Sequence, residues 1–76
     1  MRLRAIFAIN LRKARRAAGV SQEELASLAE IDRTYVSHLE RANYAASIDV
    51  IQRIAEVLHV EPSDLLVRPR KSRTAA

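Results

Sequence analysis

Apolar side chains recur at helical intervals in the first segment of this 76-residue chain. Between residues 3 and 18 the intervals are four, four, three and four, which keeps the apolar positions on one face of a helix: Leu3, Phe7, Leu11, Ala14 and Ala18. Gly19 follows, and glycine adopts the left-handed conformation that ends a helix without a Cβ clash. The pattern therefore predicts a first helix over residues 3–18.

Two short helices are predicted next, with almost no linker between them. Ser21 is a favourable N-cap, and Glu24 completes a capping box that starts a helix over residues 22–29. Asp32 supplies the N-cap of a helix over residues 33–41. Two capped helices whose start signals lie eleven residues apart are typical of a helix-turn-helix motif.

A loop and two further helices follow. Residues 42–46 have no regular period, and Ser47 then caps a helix over residues 48–59 whose predicted inward side is Ile48, Ile51, Ile54, Ala55 and Leu58. Pro62 suits the first turn of a short fifth helix, where its missing amide hydrogen costs nothing. The apolar side of that helix is Leu65, Leu66 and Val67.

These elements predict an all-α fold, a compact five-helix domain over residues 1–67 with a basic, flexible tail over residues 68–76. The net charge of the chain is +4, but the tail holds four of the thirteen basic residues and no acid, so the domain itself is neutral. Six basic residues and no acid fall in residues 1–16. This segregation favours attraction to phosphate, and it is equally typical of a solvated, arginine-rich helix face.

The composition argues against an enzyme or a metal protein. The absence of cysteine excludes disulfides and thiolate chemistry and is typical of a cytoplasmic protein. His38 and Glu40 have the H-x-E spacing of zinc deaminases, but the required P-C-x-x-C pair is missing. His59 is the other imidazole and lies at the end of a different helix. We therefore expect no catalytic residue, no metal, no cofactor, no small-molecule ligand and no membrane segment.

The third helix has two contrasting faces. At about 100° per residue, Val36, Leu39 and Glu40 point one way, and the opposite side carries compact hydrogen-bonding groups that reach base edges from a major groove. Arg33 stands in the first turn, where a recognition helix is inserted most deeply. The predicted base contacts are Arg33, Thr34, Ser37 and His38. The alternative is an ordinary solvent-facing side.

Two tyrosines have open roles. Tyr35 lies on the flank of the third helix, where its ring completes the core or its hydroxyl contacts a phosphate or a base. Tyr44 lies in the following loop, where it either contacts the DNA backbone or is an unremarkable loop aromatic.

Several of these segments, in this order and at this spacing, resemble the helix-turn-helix family of phage repressors and Cro. They are Leu-Arg-x-x-Arg at 11–15, Gly19, Ser-Gln-Glu-Glu-Leu-Ala at 21–26, Tyr-Val-Ser-His-Leu-Glu-Arg at 35–41 and Val-Glu-Pro-x-Asp-Leu-Leu at 60–66. The string at 32–41 is especially similar to controller proteins of restriction-modification systems, which are small homodimers without an effector domain. The resemblance implies a phage-repressor-like domain that binds double-stranded DNA and regulates transcription.

The resemblance also implies roles for individual residues. Gln22 would bond a phosphate and brace the recognition helix, while Arg41 and Asn43 would touch the sugar-phosphate backbone. Arg15 and Glu40 match a family pair between the first and third helices, and the alternative is a loose surface pair. Three residues depart from the family pattern, because Glu30 and Ala42 stand where turn glycines are usual and Ala46 replaces a frequent proline. A side chain in a left-handed turn costs about 1 kcal/mol, so either the turns are rebuilt or the strain is retained.

The chain is expected to act as a homodimer on a roughly palindromic operator, with two recognition helices about 34 Å apart. The predicted dimer patch is the apolar side of the fifth helix with two valines of the fourth: Val50, Val57, Leu65, Leu66 and Val67. The alternative function is a protein-binding module, such as an antitoxin with secondary DNA binding.

Overall fold

Helices form all the regular secondary structure in residues 1–69, the part of the chain that this computed structural model describes. The helices are α1 (Leu3–Ala18), α2 (Gln22–Ala29), α3 (Arg33–Glu40) and α4 (Ile48–Leu58), followed by a 3-10 turn over Pro62–Leu66. The predicted all-α class is confirmed, with the fifth helix reduced to a 3-10 turn. Most of the predicted tail, from Arg70 onward, lies outside the described residues.

Side-chain caps set the starts of three helices. Ser21 Oγ accepts a hydrogen bond from the Glu24 amide at 3.0 Å, and Glu24 Oε1 accepts one from the Ser21 amide at 2.8 Å. Asp32 caps α3, since its Oδ1 accepts a hydrogen bond from the Thr34 amide at 2.9 Å. Ser47 caps α4, since its Oγ accepts one from the Val50 amide at 3.1 Å. Because each cap is a local interaction, the sequence pattern is sufficient to locate these starts.

Residues in the left-handed region end α1, α2 and α4, and another follows the C-cap residue of α3. Gly19 has a φ of 73°, and three residues with side chains adopt the same region: Glu30 at 60°, Ala42 at 61° and His59 at 59°. The turns at Glu30 and Ala42 are therefore not rebuilt, and the strain of a side chain in this region is retained. Arg53 of α4 donates to the carbonyl oxygens of Ala29 and Glu30, both at 3.3 Å, and so ties α4 to the strained turn after α2.

Replacing Ala42 with glycine should raise the free energy of unfolding by about 0.5–1 kcal/mol, because it relieves the left-handed strain and outweighs the greater freedom of glycine in the unfolded chain. The matched control is Ala17→Gly, which removes the same methyl group from an exposed helical position and should lower that energy by about 0.5–1 kcal/mol. Urea denaturation measures both. Destabilisation by both substitutions would show that Ala42 carries no strain.

The core lies between all four helices and the 3-10 turn. Its largest fully buried side chains are Leu11, Leu25, Val36, Leu39, Ile54 and Leu65. Asn10 ties the 3-10 turn to α1, since its side-chain Nδ2 donates to the carbonyl oxygens of Leu65 at 3.0 Å and Val67 at 2.7 Å. Among residues 1–69, no helix has both the length and the apolar character needed to cross a bilayer.

The face that α4 buries differs from the predicted one. Val50, Ile54 and Leu58, at intervals of four, form the buried stripe, whereas Ile48 is 83% exposed. Placing Ile48 on the inward side was wrong, because successive residues of a helix turn by about 100° and Ile48 lies about 160° around the axis from Val50. The same burial removes Val50, 9% exposed, and Leu65, 1% exposed, from the predicted dimer patch.

Candidate nucleic-acid interface

The inner side of α3 is fixed by packing. Val36 and Leu39 are completely buried, and Glu40 is buried beside them. On the other side, Arg33 and Thr34 are exposed while Ser37 and His38 are half-buried. The four predicted base-contacting residues therefore share one outward-facing surface, called here the outward face of α3.

A buried ion pair joins α1 to α3. Arg15 Nε lies 2.5 Å from Glu40 Oε2, and Arg15 Nη2 lies 3.1 Å from Oε1. Arg15 Nη1 also donates to the Val20 carbonyl oxygen at 2.9 Å. The hydrogen bond with Glu40 raises the pKa of the Arg15 guanidinium; desolvation lowers it and the carboxylate charge adds a further increase. Two parallel hydrogen bonds of this kind fix orientation as well as distance.

Two further residues hold Glu40 from other sides. Gln22, at the start of α2, donates from Nε2 to Glu40 Oε1 at 3.1 Å, so its side chain braces α3. Arg12 donates to the Glu40 carbonyl oxygen at the C-terminal end of α3. Sequence reasoning counted Arg12 as a charge and missed this contact. The available signal was its position three residues before Arg15, which places both on one side of α1.

An aromatic cluster holds the loop after α3 against the helix. The rings of His38 and Tyr44 are stacked, with centroids 4.4 Å apart and planes inclined by 28°. Tyr35 lies 6.3 Å from Tyr44, and its hydroxyl donates to the Ala45 carbonyl oxygen at 3.3 Å. Arg41 Nη2 and Asn43 Nδ2 lie 3.3 and 3.4 Å from His38 Nδ1. All three predicted loop-side backbone contacts, Arg41, Asn43 and Tyr44, therefore also touch His38.

An apolar groove of about 560 Å³ lies beyond this loop. Its lining includes Leu3, Ile48, Ile51 and Leu66, called here the apolar face, together with the loop residues Ala45 and Ala46. Leu3 is 57% exposed, and Val67 next to Leu66 is 56% exposed. Of the predicted dimer patch, Leu66 lines this groove and Val67 stays at the surface, whereas Val57 is half-buried against the core.

Within residues 1–69, no three potential ligand side chains among His, Asp and Glu come together as a metal site. The converging groups at α3 are instead guanidinium, amide, hydroxyl and imidazole side chains on one surface. Such groups bind the phosphates and base edges of nucleic acids.

The helix-turn-helix family model matches residues 11–65, more than half of the chain. The chain belongs to the Cro/C1-type helix-turn-helix family. Over 69 residues this helix-turn-helix protein is 42% identical to a hypothetical transcription factor of Neisseria meningitidis serogroup B, a match that covers 91% of this chain and 65% of that protein. The chain thus spans slightly less than two thirds of the length of the Neisseria relative.

Two controller proteins confirm the more specific resemblance. Control protein C.BamHI of Bacillus amyloliquefaciens is 38% identical over 65 residues, which cover 84% of this helix-turn-helix chain and 80% of that protein. The crystal structure of the restriction-modification controller protein C.AhdI from Aeromonas hydrophila superposes with a TM-score of 0.79 at 40% identity, covering 82% of this chain and 94% of that one.

Proposed function

We propose that this protein is a homodimeric, sequence-specific transcriptional regulator that inserts α3 into the major groove of a roughly palindromic operator. The observation that carries the proposal is the contrast between the two sides of α3. Its inner side is locked by the core and by the Arg15–Glu40 pair, and its outward face carries only hydrogen-bonding groups. A rigid helix with such a face matches the groove-inserting element of helix-turn-helix proteins.

The outward face of α3 supplies the base contacts in this proposal. Arg33 is exposed in the first helical turn, where a bidentate guanidinium–guanine pair is the commonest specific contact. Thr34, Ser37 and His38 extend the contact along the helix. The names of the relatives support the same role, since one is called a transcription factor and two are called control or controller proteins.

The residues around the helix supply the phosphate contacts. Gln22 stands at the amino end of α2, where partial positive charge attracts phosphate. Arg41, Asn43 and Tyr44 present exposed donors beyond the carboxyl end of α3. Tyr35 is half-buried and its hydroxyl is engaged with the loop, so its proposed backbone contact requires that hydroxyl to exchange partners.

A second copy of the chain on the apolar face completes the proposed dimer. The loop after α3 lines this groove. A two-fold axis that runs along the side of the face on which this loop lies would place the two recognition helices on the same side of the dimer. Arg2 and Arg4 line the groove and the exposed Asp49 follows Ile48. Charges of both signs therefore lie close to a symmetric contact at this face. The competing function, a protein-binding module, would place a different protein on the same apolar face.

Selection of bound duplexes from a random pool tests the proposal. We expect an enriched sequence with two-fold symmetry and half-sites one helical turn apart. The affinity should also fall steeply with added salt, because phosphate contacts release counterions. Enrichment of no sequence, together with stable capture of a different protein by the apolar face, would favour the protein-binding module.

Replacing Arg33 with alanine should cost about 1–3 kcal/mol of discrimination at one base pair and leave the others unchanged. The fold should be unaffected, since Arg33 is exposed. The contrasting variant replaces the cations Arg70, Lys71 and Arg73 with glutamine, which should weaken binding to all duplexes alike. Competition binding with single-base operator variants measures both. Equal weakening at every position by Arg33→Ala would remove Arg33 from the base-contacting set.

A further inference from the structure

The hydrogen-bonding character of His38 is decided by its neighbours. Arg41 Nη2 and Asn43 Nδ2 both lie within hydrogen-bonding distance of His38 Nδ1, at 3.3 and 3.4 Å. A guanidinium group has donors and no acceptor, so Nδ1 must be the acceptor in its contact with Arg41. A neutral imidazole carries its single hydrogen on the other nitrogen when Nδ1 accepts. The hydrogen is therefore on Nε2.

The backbone keeps these donors next to His38. Ala42, in the left-handed region, turns the chain back so that the Asn43 amide donates to the His38 carbonyl oxygen at 2.9 Å. The Arg41 amide also approaches this oxygen, at 3.2 Å. Tyr44 then stacks on the imidazole and holds the plane of the ring. Arg41 and Asn43 are thus positioning residues that act through His38.

We propose that His38 is a specificity-determining residue that presents an Nε2–H donor to the operator and selects guanine at the base it faces. This inference rests on the proposed function. Within residues 1–69, the Nε2 atom takes part in no hydrogen bond, and His38 belongs to the outward face of α3. The donor is available to a base edge, while Nδ1 is committed to the loop.

The major groove distinguishes the possible partners of such a donor. Cytosine presents only its N4 amino donor, so it cannot accept from Nε2–H. Adenine has one acceptor, N7, directly beside an amino donor, and thymine has one acceptor beside a methyl group. Guanine presents two neighbouring acceptors, N7 and O6, with no donor between them. A single fixed donor therefore favours guanine.

Nuclear magnetic resonance of the DNA-free protein tests the first half of the proposal. Nitrogen-15 shifts should show an unprotonated Nδ1 and a protonated Nε2 at His38, with His59 as an internal reference. The double variant Arg41→Ala, Asn43→Ala should give a mixture of the two His38 tautomers. The control Arg16→Ala, which removes an exposed arginine from the last turn of α1, should leave the His38 tautomer unchanged. A hydrogen on Nδ1 in the unaltered protein would overturn the proposal without involving DNA.

Modified duplexes test the second half. Replacing the contacted guanine with 7-deazaguanine or adenine should weaken binding of the unaltered protein about two- to tenfold, the range of a single hydrogen bond. His38→Phe keeps a ring for Tyr44 to stack on but has no N–H, so this variant should lose the preference at that base alone. His38→Ala should behave in the same way at that base.

The outcomes separate the two levels of inference. Retention of the guanine preference by both His38 variants would overturn the role of His38 and leave the proposed function intact. A preference for cytosine at the position that responds to His38 would have the same effect. If the unaltered protein selects no sequence at all, the proposed function fails and the specificity role of His38 fails with it.

Discussion

Replacing Glu40 with alanine should lower the free energy of unfolding by about 3–5 kcal/mol, because it leaves a largely buried guanidinium without its partner. The Arg15 side chain is 13% exposed, and both oxygens of the Glu40 carboxylate accept hydrogen bonds from it. The same change removes the acceptor of the Gln22 amide. The whole free energy of unfolding of a small domain is only about 5–15 kcal/mol. Thermal and urea denaturation should therefore show a protein close to the limit of folding.

The matched control is Glu56→Ala on α4, which removes an exposed carboxylate whose side-chain hydrogen bonding within residues 1–69 is limited to a 3.4 Å bond from Gln52. We expect it to change the free energy of unfolding by no more than about 0.5 kcal/mol. The double variant Arg15→Met, Glu40→Leu should recover much of the lost stability, since a buried pair replaced by apolar groups is often nearly neutral. A Glu40→Ala variant as stable as Glu56→Ala would show that the pair is a loose surface contact.

This ion pair also connects the stability of the fold to its proposed function. Glu40 receives hydrogen bonds from α1 and α2 while it belongs to α3. Three helices therefore meet at one carboxylate, and the angle of the outward face of α3 depends on it. We expect Glu40→Gln, which keeps the shape of the side chain, to lose less stability than Glu40→Ala, because it can still accept from Arg15.

The helices can be predicted from the sequence because their signals are local. The capping box of Ser21 and Glu24 and the caps at Asp32 and Ser47 are interactions within a single turn. The inward position of Glu40 follows from helical angles alone. Composition and spacing are thus sufficient for the all-α class and for the two sides of α3.

Contacts made by the path of the loop cannot be predicted in this way. The His38–Tyr44 stack exists because residue 42 takes a left-handed conformation despite its methyl group, which turns the loop back over α3. Because glycine is the usual residue at such a turn, the alanine in the sequence leaves open whether the turn is kept or rebuilt. The aromatic residues at 35, 38 and 44 were visible in the sequence, but their association depends on that turn.

The surface of α4 shows a second limit. Ile48, Val50 and Ile51 are all apolar, so hydrophobicity alone does not distinguish the buried stripe from the exposed one at the start of the helix. The structure buries Val50 and exposes Ile48. The 3-10 turn likewise buries Leu65 because Asn10 fastens its backbone to α1, a contact across 55 residues of sequence. Such long-range packing decides which apolar residues remain for a partner.

Replacing the exposed Ile48 with glutamate should convert the proposed dimer to a monomer and weaken operator binding about 10²–10⁴-fold. The magnitude is the avidity that two linked binding sites provide over one. The substitution places two like charges near the proposed two-fold axis. It should not disturb folding, because Ile48 is 83% exposed and an acid at the first turn of α4 is favourable to the helix. Sedimentation and operator titration measure the two effects.

The matched control is Leu28→Glu on α2, which makes the same change of charge at a 63% exposed apolar residue that does not line the groove. It should remain dimeric, so any loss of affinity that it shares with Ile48→Glu reports charge alone. An Ile48→Glu protein that remains dimeric and binds a palindromic operator as tightly as Leu28→Glu would place the dimer contact elsewhere. The apolar face would then have no part in the dimer that binds DNA.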